Sequence, residues 1–88
     1  MLTFNIKKEF ILEISMRKMK KNQKGRIVSV HCDGELRQRI NDMGLTPGAE
    51  IKVVGRAPLN DPVALKVRGF TISLRNNEAD HIVVEVED

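Results

Sequence analysis

The sequence predicts a mainly β protein: a small, strongly bent barrel of about five strands, with one short helix between the first two strands. Short apolar runs recur between residues 26 and 86, and glycine, proline or a polar stretch separates one run from the next. Within this span only residues 34–43 have the spacing of an amphipathic helix. The chain has 88 residues, which is the size of one domain with a modest core.

The first predicted strand, residues 26–30, is followed by the helix. Its apolar stripe occupies positions i, i+4 and i+7, namely Leu36, Ile40 and Met43. Gly44 can take the left-handed conformation that ends a helix, and Leu45 would then contact Ile40 in a Schellman motif. Pro47 and Gly48 suit the central positions of a type II turn, because proline presets φ and glycine accepts a positive φ. These residues are predicted to be structural.

Apolar runs predict the remaining strands, at residues 51–54, 63–67, 71–74 and 82–86. Gly55 is predicted to end the second strand. Gly69, also predicted to be structural, is placed with Phe70 in a type II′ turn with glycine first. Residues 75–80 are predicted to be a polar loop or a single helical turn. Five short strands joined by tight turns are typical of an SH3-like barrel.

Residues 1–19 are predicted to be a basic extension, frayed or lightly docked, and residues 20–88 to be the domain. The first 24 residues hold seven basic and two acidic residues, a net charge of +5, whereas the rest of the chain has a net charge of −2. The alternatives are a basic amphipathic segment that touches an anionic membrane surface and an artefact of start-site choice, since Met16 and Met19 are internal methionines.

Composition excludes several classes of protein. No apolar run approaches the roughly 20 residues that a membrane-spanning helix needs. The single cysteine fits a reducing compartment, so we predict a cytoplasmic location. Aromatic residues make up 3% of the chain, without Trp or Tyr. The stacking surfaces that single-stranded nucleic acid or proline-rich peptides require are therefore absent from the sequence. We predict no nucleic-acid partner.

His31-Cys32-Asp33 is the candidate metal cluster, with His81 as a further ligand. Neighbouring residues of a strand point to opposite sides, so only His31 and Asp33 could share a face. Ligands of these types bind Fe(II), zinc or copper. We predict no metal site and no cofactor; the alternative is Fe(II) or another divalent transition metal at these residues.

No catalytic set is legible, so the chain is predicted not to be an enzyme. The carboxylates alternate with basic residues as they do on a solvated surface, and no phosphate-binding glycine loop is present. Action in trans on a partner GTPase is the alternative to a solubilising role for four arginines, namely Arg37, Arg39, Arg56 and Arg75.

The loop at residues 58–62 is the candidate partner-binding site. Leu59 lies among turn-forming residues, where a core role is not obvious, and Pro58 and Pro62 stiffen its presentation. A preorganised apolar residue loses little entropy on binding. The predicted contact residues are Pro58, Leu59, Asn60 and Asp61, together with Arg37 and Arg39 on the helix. The alternative is a plain connection between strands.

Several short blocks of the sequence follow one another in a recognisable order and spacing. They are Gly25-Arg26-Ile27-Val28, Met43-Gly44-Leu45, Pro47-Gly48, residues 57–62, Val67-Arg68-Gly69, Ser73-Leu74-Arg75 and Glu78-Ala79. In this order the blocks resemble the FeoA family, the small cytoplasmic component of bacterial ferrous iron uptake. The resemblance covers about residues 20–87. Asn60 departs from the usual Gly-Asp-Pro of the loop.

The resemblance implies an SH3-like barrel and a partnership with FeoB, the membrane permease with a cytoplasmic GTPase domain. The predicted function is therefore that of a non-enzymatic accessory protein that binds the cytoplasmic part of FeoB. One alternative is a metal-binding sensor or chaperone, since the domain is also similar to the C-terminal module of diphtheria-toxin-repressor-like regulators. Another is a nucleic-acid binder that uses its basic tail.

Overall fold

Six antiparallel strands form one sheet in the computed structural model, which describes residues 11–87. Two short α-helices and a 3-10 turn (Met16–Lys18) complete this part of the chain. The strands and helices are β1 (Ile11–Ser15), β2 (Lys24–Val30), α1 (Gly34–Asp42), β3 (Glu50–Arg56), β4 (Val63–Val67), β5 (Phe70–Leu74), α2 (Asn76–Ala79) and β6 (Ile82–Glu87). The strand order is β1-β6-β2-β3-β4-β5, so β6 lies between β1 and β2.

The core follows the alternation of the strands. Every second residue of β4 and β6 is buried, as is expected when one face of a sheet packs inward. Ile40 of α1 and Leu45 after it are also fully buried in this core. Register shifts interrupt the pairing of β2 with β6 and of β3 with β4, and such bulges bend a strand. Gly55 therefore does not end the strand as predicted, because β3 continues past this bulge to Arg56.

The end of α1 has the geometry of a Schellman motif. Gly44 has φ +85°, the Leu45 amide donates to the Ile40 carbonyl at 3.1 Å, and the Gly44 amide donates to the Asn41 carbonyl at 2.9 Å. A type II turn follows, in which Gly48 has φ +92° and the Ala49 amide donates to the Thr46 carbonyl at 2.9 Å. Together they reverse the chain so that β3 can pair with β2.

The turn between β4 and β5 differs from the prediction by one position. Val67 pairs with Phe70, so the two central residues are Arg68 (φ +52°) and Gly69 (φ +85°). Two positive φ angles make this a type I′ turn rather than a type II′ turn, and Gly69 is its second central residue. Type I′ turns match the twist of paired strands, which outweighs the modest cost of a left-handed arginine.

The predicted boundary between extension and domain at residue 19 is wrong for residues 11–19, the part of the extension that the structure describes. Strand β1 pairs with β6 along its whole length, with Ile14 opposite Val84. The side chains of Met16 and Met19 are 0% and 2% exposed, so they belong to the core. Unbranched methionine side chains fill irregular gaps well, which explains how two isolated residues close this end of the barrel. Earlier apolar residues of the extension lie outside the described residues.

Candidate partner-binding surface

The loop between β3 and β4 presents Leu59 to solvent. The Asn60 amide donates to the Ala57 carbonyl at 2.7 Å, which closes a turn with Pro58 and Leu59 at its centre. The Ala57 amide donates to the Pro62 carbonyl at 3.1 Å and joins the two ends of the loop. Leu59 is 88% exposed, more than any other large apolar side chain in residues 12–87. The loop is thus a hydrogen-bonded structure that holds an apolar side chain outward.

Arg56 ties this loop to two other segments. Its Nη1 donates to the Asn60 carbonyl and to the Asn76 Oδ1, both at 3.1 Å. Its Nη2 donates to the carbonyls of Arg17 at 2.6 Å and Met19 at 2.9 Å. One planar guanidinium therefore joins the loop, the 3-10 turn and α2, a geometry that the single ammonium of lysine does not offer.

The start of α2 fixes the second half of the loop. The Asn76 amide donates to Asp61 Oδ1 at 2.9 Å, and the Asn76 Nδ2 donates to the Asn60 carbonyl at 2.9 Å. A carboxylate at the beginning of a helix is stabilised by the helix dipole and by the free amides there. Asp61 therefore holds the loop in place, and its Oδ1 is already used within the chain.

A shallow concave surface lies beside Leu59, between the loop and the segment after β1. We call it the lysine concavity; the residues that line it are Arg17, Met19, Lys20, Lys21, Arg56, Leu59, Asn60 and Asn76. Four of these side chains are cationic and none is acidic. Asp80 pairs with Arg17 at 2.7 Å at its margin. The exposed apolar residue thus stands at the edge of a positively charged surface.

Arg37 and Arg39, the other predicted contact residues, are engaged within the fold. Arg37 Nη1 donates to the carbonyls of Val30 at 3.1 Å and Cys32 at 3.3 Å. Arg39 forms an ion pair with Glu78, whose carboxylate is largely buried. Within residues 11–87, no hydrogen bond joins either arginine to loop 57–62. The structure therefore does not unite the two halves of the predicted site.

The four candidate metal ligands lie in two segments of the chain, residues 31–33 and residue 81, which a backbone hydrogen bond joins. The His31 amide donates to the His81 carbonyl at 2.7 Å, and His81 Nδ1 is 3.2 Å from the His31 carbonyl oxygen. His31 Nε2 is 2.7 Å from Ser29 Oγ. Within the described part of the chain, no three His, Cys, Asp or Glu side chains are grouped so that they could hold a metal ion. The histidines here take part in hydrogen bonds that close the sheet.

The structural roles of Arg56 and Glu78 were not predicted from the sequence. From the sequence, Arg56 is a candidate only for action in trans on a GTPase, and Glu78 belongs only to a block of the family resemblance. Glu78 Oε1 accepts from the Arg75 amide at 3.0 Å while its other oxygen meets Arg39, so it joins α2 to α1. A signal for this role existed, since a glutamate three residues after a helix start is typical of a capping box.

A family model, a curated relative and a solved structure that match this chain all belong to one family. The model of the FeoA domain matches residues 14–86. A curated protein of Porphyromonas gingivalis, an Fe(2+) transport protein A/Fe(2+) transporter FeoB fusion protein, is 43% identical over 60 residues. That match spans 68% of this chain but 7% of the fusion protein. A FeoA-like protein from Clostridium acetobutylicum has 38% identity and a TM-score of 0.78, over 84% of this chain and 86% of its own.

Two further structures share the fold at lower identity. The zinc complex of FeoA from Stenotrophomonas maltophilia, described as an SH3 domain protein, has 23% identity and a TM-score of 0.70, over 81% of this chain and 88% of its own. IdeR of T. acidophilum has 23% identity and a TM-score of 0.77, over 94% of this chain and 37% of its own. The predicted SH3-like barrel is confirmed. No helix within residues 11–87 has the length and apolar character that crossing a bilayer requires.

Proposed function

The chain belongs to the FeoA domain family, and from that premise we propose that it is a non-enzymatic accessory protein of ferrous iron uptake. It acts in the cytoplasm by binding the cytoplasmic, GTPase-containing part of a FeoB permease. The observation that carries this proposal is the fusion protein, in which an FeoA segment similar to this chain and FeoB form one polypeptide. Domains joined in one chain have a high effective concentration for each other, which favours a working contact between them.

The loop with Leu59 supplies the contact in this proposal. An apolar side chain that is already fixed in its bound position loses little conformational entropy when a partner covers it. The bonds from Arg56 and Asp61 hold the backbone on both sides of Leu59. Pro58, Asn60 and Asp61 shape the loop, while Arg37 and Arg39 form a separate, weaker candidate contact on α1.

The test is a titration of the protein against the cognate FeoB cytoplasmic domain in its GTP-bound, GDP-bound and nucleotide-free states. Leu59→Asp is expected to weaken binding at least tenfold, because burying an uncompensated charge against an apolar partner surface is costly. Its thermal midpoint should stay close to that of the parent, since changes of exposed residues cost about 0.5 kcal/mol or less.

Phe70→Asp is the matched control. Phe70 is a second strongly exposed apolar side chain, at 72%, and it lies at the β4–β5 turn rather than in the loop. It should bind FeoB as the parent does. Absence of binding by the parent protein in every nucleotide state would refute the proposed function. Equal weakening by both substitutions would refute the role of the Leu59 loop.

A further inference from the structure

The cationic side chains of the lysine concavity differ in whether contacts within the described residues engage them. The Arg56 guanidinium is occupied by the acceptors of three segments. Arg17 pairs with Asp80. By contrast, Lys20 and Lys21 are exposed, and within residues 11–87 no carboxylate lies within salt-bridge distance of either ammonium group. Two cations without an ion-pair partner in the described part of the chain therefore line the same surface as the exposed Leu59.

From this arrangement we infer that the lysine concavity binds an acidic segment of the partner polypeptide that also carries an apolar side chain for Leu59. The inference rests on the proposed function and adds the chemistry of the surface that is recognised. Carboxylates on that segment pair with Lys20 and Lys21, and its apolar residue covers Leu59. Complementary charge of this kind mainly sets the association rate and the choice of partner.

The shape of the surface favours a polypeptide over a membrane. A lipid bilayer is nearly flat and retains proteins through several inserted apolar residues. The lysine concavity is recessed, and Leu59 is the single exposed large apolar side chain among its lining residues. The recess also contains the side-chain amide of Asn60, which suits hydrogen bonds to a peptide backbone.

Charge reversal with a matched control tests the inference. Lys20→Glu/Lys21→Glu should weaken binding to the FeoB cytoplasmic domain by about tenfold or more at low salt, through a slower association rate. Lys24→Glu/Lys66→Glu changes the net charge by the same amount on a different surface, since both residues line a separate groove with Glu50. The control should bind within about twofold of the parent. Raising the salt concentration should weaken the parent and the control but should have little effect on the Lys20/Lys21 variant.

The outcomes separate the inference from the proposed function. If the parent binds FeoB and both double variants bind equally, the inference is refuted while the proposed function stands. If the parent does not bind at all, the proposed function itself fails. In a parallel experiment with vesicles that contain anionic lipid, retention that depends on Lys20 and Lys21, combined with unchanged FeoB binding, would assign the surface to a membrane and overturn the inference.

Discussion

Arg56→Ala is the most informative single substitution, because one side chain supplies four hydrogen bonds to three segments. Three of the four acceptors are backbone carbonyls, which substitution of the acceptor residues would leave in place. Only a change at Arg56 itself removes these hydrogen bonds. A net hydrogen bond contributes about 0.5–1.5 kcal/mol to stability. Arg56 is half-buried, so water can replace part of each bond and the lower end of that range applies. The free energy of unfolding should therefore fall by about 2 kcal/mol.

Thermal unfolding measures this loss directly. In a domain of this size 1 kcal/mol corresponds to about 4–8 °C, so Arg56→Ala should lower the thermal midpoint by about 8–16 °C. Arg56→Lys preserves the charge and most of the aliphatic stem but not the planar fork. It should recover only a small part of the loss. The substitution should also weaken FeoB binding beyond the loss of stability, because the loop would no longer be preorganised.

Two results would refute this reasoning. A thermal midpoint of Arg56→Ala within about 2 °C of the parent would show that the four hydrogen bonds contribute nothing net. Full recovery by lysine would show that charge and stem packing matter, not the forked geometry. Either result would leave the loop held by the Asp61–Asn76 contacts instead.

Two further substitutions test the ends of the core. Gly44→Val should lower the free energy of unfolding by about 1–3 kcal/mol, because the φ of +85° at this position is strained for a β-branched residue. Gly44→Asn should lower it less. If Gly44→Val and the parent have equal thermal midpoints by calorimetry, the helix-end geometry is contradicted. Met16→Ala should lower the free energy of unfolding, measured with denaturant, by about 2–5 kcal/mol. Lys18→Ala should leave it nearly unchanged, because Lys18 is exposed. A neutral Met16→Ala would restore the predicted boundary after residue 19.

The sequence alone predicts the turns, helix and strands that depend on residues close together in the chain. The Schellman end of α1 and the strands after it depend on residues close to each other in the chain, so their patterns predict them well. Strand β1 was missed because Phe10-Ile11-Leu12-Glu13-Ile14 fits a helix or a strand equally, and only pairing with β6 decides between them. The β4–β5 turn shifted by one position because glycine suits either central place and arginine was not expected at a positive φ.

In the candidate partner-binding surface, contacts between residues far apart in the chain were again the part that the sequence did not predict. The exposure of Leu59 could be predicted, because prolines and turn residues surround it. The contacts of Arg56 could not, since its acceptors lie 4, 20, 37 and 39 positions away. The ion pair of Arg39 could not be predicted either, since its partner Glu78 lies 39 positions later. Long-range partners of polar side chains leave no periodic trace in a single sequence.

The place of β6 in the sheet has a consequence for synthesis on the ribosome. Ile14 pairs with Val84, which is made 70 positions later, and among the strands of residues 11–87 β1 pairs only with β6. At translation rates of about 5–20 residues per second, β1 waits roughly 4–14 seconds for its partner. During that interval the hydrogen-bonding edge of β1 and the half-buried Ile14 lack the strand that pairs with them. Emergence of β6 therefore lets β1 join the sheet, and until then the unpaired β1 is open to chaperones and to aggregation.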